Sequence, residues 1–267
     1  MIAPSLLNQR FALRETQCLC ERFALSPNIS KEYSVGNHLA IRYGHTDEPI
    51  VPSLGKIFEQ MYLWVKDWFG YRGDIAIELW VAPTVDDLQF MTCMPCGEGY
   101  ACAPGTNNGA NIILIDSPSL GGKNSGEGRL SAVLAHEISH HFISDISRST
   151  PFTMKRKENL DVPMWLEEGL ATVVMTEVYP SLRTRFEEYI SLSTTWYSLE
   201  DMYDDISSCE DPDKAYLQAY KETKSLIDCI GKAEIVKLLF LNRTHKIDWN
   251  ELPYGGKLSA RVRYGNT

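Results

Sequence analysis

Three residues in the middle of this chain have the types and spacing to do chemistry together. In Ala132-Val-Leu-Ala-His-Glu-Ile-Ser-His-His-Phe-Ile143, His136 and His140 stand four residues apart. On a helix that spacing puts both imidazoles on one face, one turn from each other, so both can reach a single ion. Glu137 lies about 100° around the helix from His136, close enough to meet a water on that ion without being a ligand. The chemistry implied is that of a zinc hydrolase. Two neutral nitrogens hold Zn²⁺, an open position admits water, and a carboxylate takes the water's proton during attack. His141 faces another way and reads as a packed or supporting histidine. The His-Glu-x-x-His pattern is short, and it also occurs in helices that bind nothing.

A third ligand would decide between those two readings. The compact arrangement of the metzincins needs Gly at 143 and His at 146, where this chain has Ile143 and Ile146. That version is excluded. Further on, Asp161-Val-Pro-Met-Trp-Leu-Glu-Glu-Gly-Leu-Ala171 opens an apolar helix that carries two adjacent acids. Carboxylates among Trp165, Leu166, Leu170, Val173 and Val174 are costly unless at least one faces a cation. Spacing alone leaves Glu167 and Glu168 open as the ligand. Gly169, with no side chain, would allow two helices to approach closely.

The stretch Trp165-Leu166-Glu167-Glu168-Gly169-Leu170-Ala171 resembles the signature of the gluzincins, zinc peptidases related to thermolysin and the zinc aminopeptidases that add a Glu from a second helix. The resemblance implies that Glu168, just before the glycine, is the third zinc ligand. It implies an α+β zincin-like fold: a small mixed sheet and the metal helix in an N-terminal lobe, then a helical C-terminal lobe. It also implies that Tyr216, in Tyr216-Leu217-Gln218, steadies the oxyanion, with Tyr220 as its rival. Residues 111–116 would be the edge strand along which a substrate peptide lies, their other reading being an ordinary buried strand. Residues 141–167 form a longer connection than in the best-known gluzincins, through a polar loop with Lys155, Arg156 and Lys157. The Gly-x-Met-x-Asn segment of the aminopeptidases is missing, so endopeptidase and aminopeptidase stay equally open.

Two rival functions remain. Glu98-Gly99-Tyr-Ala-Cys102 weakly resembles the deformylases, whose metal is held by one Cys and two His. The other rival is a zinc-stabilised scaffold or binding protein without turnover. Glu137 counts against it, because a structural zinc needs no base and is usually closed by a fourth protein ligand.

The composition is ordinary for a globular protein, 44% hydrophobic and 23% charged. Net charge is −9 and pI about 5.2 over 267 residues, which argues against nucleic acid or an anionic membrane as partner. Seven cysteines without even spacing suit a reducing compartment better than a disulfide framework. No signal peptide is evident, no apolar run approaches the about eighteen residues of a membrane span, and the expected location is cytoplasmic.

The elements that must position the site follow from periodicity. Alternation predicts strands over 38–43 and 75–82, and a short apolar one over 111–116. Three-and-four spacing of Leu54, Ile57, Phe58, Met61, Trp64, Val65 and Trp68 predicts a helix over 52–69 ending at Gly70. A short helix is expected over 85–91, then a turn-rich loop over 93–109 holding Cys93, Cys96 and Cys102. Asn124 and Glu127 could cap the metal helix, whose core stripe would be Leu130, Leu134, Ile138 and Phe142. Helices over 181–193, 213–230 and 233–241 complete the chain, with an acidic link over 194–211. The expected organisation is a helical extension over 1–37, a catalytic domain over 38–242 with lobes meeting near 145, and a patternless tail over 243–267.

Overall fold

A computed structural model describes residues 28–92, 101–107, 110–116, 127–147, 162–206, 209–243, 247 and 249. The expected helix over 5–23, Cys93, Cys96, Asn124 and the basic run at 155–157 lie outside the described residues. Five strands form one mixed sheet: β1 (Lys31–Val35), β2 (Leu39–Tyr43), β3 (Ile77–Ala82), β4 (Ala101–Asn107) and β5 (Ala110–Asp116). Their order is β1-β2-β3-β5-β4. The central pairs β2–β3 and β3–β5 are parallel, and the outer strands β1 and β4 run antiparallel to their neighbours. Among the described residues, seven α-helices accompany the sheet: α1 (Val51–Trp68), α2 (Val85–Thr92), α3 (Glu127–Ser147), α4 (Met164–Val178), α5 (Pro180–Leu192), α6 (Pro212–Ile230) and α7 (Lys232–Asn242).

The sheet has helices on both faces, as its parallel centre requires. Ile77, Leu79, Val81, Ile113 and Ile115 face the large core with α1 and α3, whereas Trp80, Ile112 and Leu114 face a small cluster with Leu88 and Met91 of α2. Strict alternation of β3 and β5 side chains between the two faces produces this division. The large core runs without a break from Val35 to Trp249 and includes α4, α6 and α7. The two expected lobes therefore share one interior. Among the described residues, no helix is long and apolar enough to cross a membrane.

Four expectations need correction. Residues 31–35 are strand, paired with β2, and not part of a helical extension. Residues 101–107 are strand β4 and not loop, with a bulge where Cys102 and Gly105 oppose Leu114 and Ile112. Residues 111–116 are not an edge, since β5 pairs with β3 on one side and β4 on the other. The tail is not patternless, because Ile247 and Trp249 are buried in the core.

Candidate metal centre

The helix α3 is fixed by its buried stripe. Leu134, Ile138 and Phe142 are fully buried, with Leu130 half-buried beside them. Side chains of this size contribute about 1.5–3 kcal/mol each when buried. Phe142 sits in an aromatic nest, tilted against Tyr62 and edge-on to Tyr71. His141, on the sheet side, donates from Nε2 to the Ile112 carbonyl of β5 at 3.0 Å. Burial pushes its pKa down to about 3, so it stays neutral and staples α3 to the sheet. With that face committed, His136 and His140 turn toward α4.

Helix α4 is buried nearly all round, from Met164 to Thr176, as an unbroken apolar surface demands. Its first amides donate to the link before α6: Met164 to the Tyr203 carbonyl at 2.8 Å, and Trp165 to the Met202 carbonyl at 3.2 Å. That link is held in turn by Gln218 of α6, whose amide accepts from Tyr197 N–H and donates to Tyr197 C=O, each at 2.7 Å. Gly169 lies against α6. A Cβ there would stand 2.0 Å from Thr223 Oγ1 and 2.4 Å from the Ala219 carbonyl oxygen. Only glycine lets α4 reach this depth, and the depth places the preceding residue opposite the histidines.

The preceding residue is Glu168. Its Oε2 lies 3.4 Å from His136 Nε2 and 3.4 Å from His140 Nε2, and the two nitrogens are 3.2 Å apart. Among the described residues, His136, His140 and Glu168 are the one group of donors close enough to share a metal ion. Donors around a tetrahedral zinc at about 2.0–2.1 Å stand about 3.3–3.4 Å from each other. The three observed separations match that triangle. Two imidazole nitrogens and a carboxylate oxygen converging on one point are a donor set that, once deprotonated, fits Zn²⁺ in chemistry as well as size.

The electrostatics agree. Burial opposes ionisation of Glu168, yet His140 and His136 beside it hold its carboxyl well below the usual carboxylate range. Burial likewise opposes a charge on His140, but Glu168 and Glu167 outweigh it and hold the imidazole well above its usual range. A pocket with this field attracts positive charge. Glu137 is also buried, and burial raises its pKa against the pull of His136 and His140, with Glu168 adding to the rise. It feels the charges of all three donors but is not among the group that could share an ion.

Glu167 is not one of the donors. Its Oε1 lies 3.1 Å from Nδ1 of His140, on the far side of the ring. Sequence spacing could not separate the two acids; their place around α4 does. Tyr216 lies on α6, half-buried against the core. Tyr220 is fully buried, edge-on to Phe186 and hydrogen-bonded with Thr176, so it belongs to the packing. The third place beside the two histidines, which a deformylase gives to cysteine, is taken here by Glu168. Cys102 falls in strand β4. No protein-family model matches the chain, and no curated protein matches it in sequence.

Proposed function

We propose that this protein is a zinc-dependent peptidase of gluzincin type, with His136, His140 and Glu168 as ligands and Glu137 as general base. The observation that carries this reading is the donor triangle of 3.2, 3.4 and 3.4 Å with a separate buried carboxylate that feels its charges. A structural site would use that fourth carboxylate as a ligand or lack it. Zinc held there would acidify a water and polarise a scissile carbonyl. Glu137 takes the proton of the attacking water and returns it to the leaving amine. Tyr216 donates a hydrogen bond to the oxygen that gains charge during attack. The substrate is an extended peptide. Strand β4 supports this choice: it is an outer strand packed beside α3, and among the described residues it pairs with β5 on one side only, where an extended peptide could add to its other edge.

The test joins metal analysis to digestion of a broad peptide library. Wild-type protein should hold one zinc per chain and cleave peptides. His136→Ala and Glu168→Gln should lose the metal. Glu137→Gln should keep zinc and fold while hydrolysis falls on the order of 10²-fold or more. Unchanged turnover in Glu137→Gln would sink the mechanism, and a zinc-loaded wild type that cuts nothing would favour the scaffold.

A further inference from the structure

We propose that Glu167 is a positioning residue for His140: its carboxylate fixes the tautomer and direction of the imidazole and sets a second negative charge beside the metal. The inference rests on the zinc reading above. His140 presents Nδ1 to Glu167 Oε1 at 3.1 Å and Nε2 to the donor triangle. An ionised carboxylate has no proton to give, so the hydrogen sits on Nδ1 and the lone pair on Nε2 faces the ion. Metal-binding histidines gain basicity and a fixed ring plane from such a partner.

His136 offers an internal contrast. Its Nδ1 is buried and has no hydrogen-bond partner among the described residues. Only one of the two imidazoles is braced by a carboxylate, and the brace is the chain neighbour of the third ligand. Adjacent residues on a helix point about 100° apart, so one turn of α4 sends Glu168 to the ion and Glu167 behind the ring. The close seat of Gly169 on α6 brings both to their places together. Charge gives the pair a second role. The Glu167 side chain is only 5% exposed, and a carboxylate this buried needs a compensating partner. The brace therefore places a further carboxylate beside the ion, next to those of Glu168 and Glu137.

The experiment measures zinc affinity by competition with a chelator for wild type, Glu167→Gln and Glu167→Leu. It also follows the His140 ring N–H signals by NMR of protein labelled with ¹⁵N-histidine. Glu167→Leu should weaken zinc binding about 10–100-fold. In Glu167→Gln the amide oxygen still accepts from Nδ1–H but the charge is gone, so part of that loss should be recovered. The Nδ1–H proton of His140 should resonate far downfield in wild type and move upfield in Glu167→Gln. Unaltered zinc affinity in Glu167→Leu, even with a lowered melting temperature, would leave Glu167 a packing residue and overturn the proposal. Should the Leu variant not fold, an unmoved Nδ1–H signal in Glu167→Gln overturns it equally. A wild type that takes up no zinc defeats the zinc reading itself, a result separate from either of these.

Discussion

The two helices that hold the site are themselves held in opposite ways. Helix α3 is amphipathic: one flank is sealed against the sheet and α1, and the other carries His136, Glu137 and His140 toward the site. Helix α4 has no open flank to speak of and is placed by depth, with Gly169 against Ala219 and Thr223. Position on α3 is therefore a matter of rotation, shared among many apolar contacts. On α4 it depends on a single missing side chain. The lesson is that one centre can combine a tolerant support with an intolerant one, and substitutions should tell them apart.

The largest effect is expected at Gly169. Gly169→Ala puts a methyl into space already occupied by Thr223 Oγ1 and the Ala219 carbonyl. Denaturant unfolding should show a loss of about 3 kcal/mol, the upper end for overpacking, and zinc stoichiometry should fall with it. Adding Thr223→Ala should restore only part, because the Ala219 carbonyl is main chain. On α3, Ile138→Val should cost about 0.5–1.5 kcal/mol and leave zinc bound. If the two costs prove equal, the contrast between the supports is lost.

Helix α6 sharpens the comparison, since it seats α4 and carries both tyrosines. Tyr216→Phe keeps the ring; under the proposed mechanism it removes the oxyanion donor and should cost roughly 2.7–4 kcal/mol of transition-state stabilisation. Zinc content and substrate affinity should hardly change. Tyr220→Phe should instead lower stability by about 1 kcal/mol with turnover intact, as its hydroxyl meets Thr176 in the core. Steady-state kinetics beside thermal melts separate the two, and an impaired Tyr220→Phe with a normal Tyr216→Phe would reverse the assignment.

The smallest effect tests the far end of α3, where the Tyr71 hydroxyl donates to Asp145. Burial, with the bond and charge of Asp145, pushes the Tyr71 pKa up to about 12, against about 10 in an unfolded chain. Between those values the folded protein keeps a proton that the unfolded chain releases, so stability falls as pH rises through that window. Tyr71→Phe should flatten this alkaline decline and leave stability at neutral pH within a fraction of a kcal/mol. A decline unchanged in the variant would place the titrating group elsewhere.

The same difference between the helices decided what could be read from the residues alone. On α3 the apolar stripe and the two histidines have distinct phases, so the buried and open flanks were legible. Helix α4 is apolar on every side, and phase could not tell Glu167 from Glu168; only the neighbouring helices distinguish them. The interior strands β2, β3 and β5 announced themselves by alternation or by an apolar run. Strand β1 was missed because Lys31-Glu-Tyr-Ser-Val35 is mostly exposed. Strand β4 was missed because Ala101-Cys-Ala-Pro-Gly-Thr-Asn107 has turn chemistry, which an edge tolerates and a centre does not. Trp249 went unnoticed for want of periodic neighbours, and burial of a single side chain needs none.

The bonds from Met164 and Trp165 to the carbonyls of Tyr203 and Met202 bear on how the protein is made. A ribosome delivers both histidines, Glu137 and both glutamates of α4 before it delivers the link and α6. Until then α4 lacks the acceptors for its first amides and the surface that receives Gly169. The growing chain therefore holds all three donors of the candidate metal centre before their supports are in place. Assembly of the candidate metal centre waits for the helix that seats Gly169.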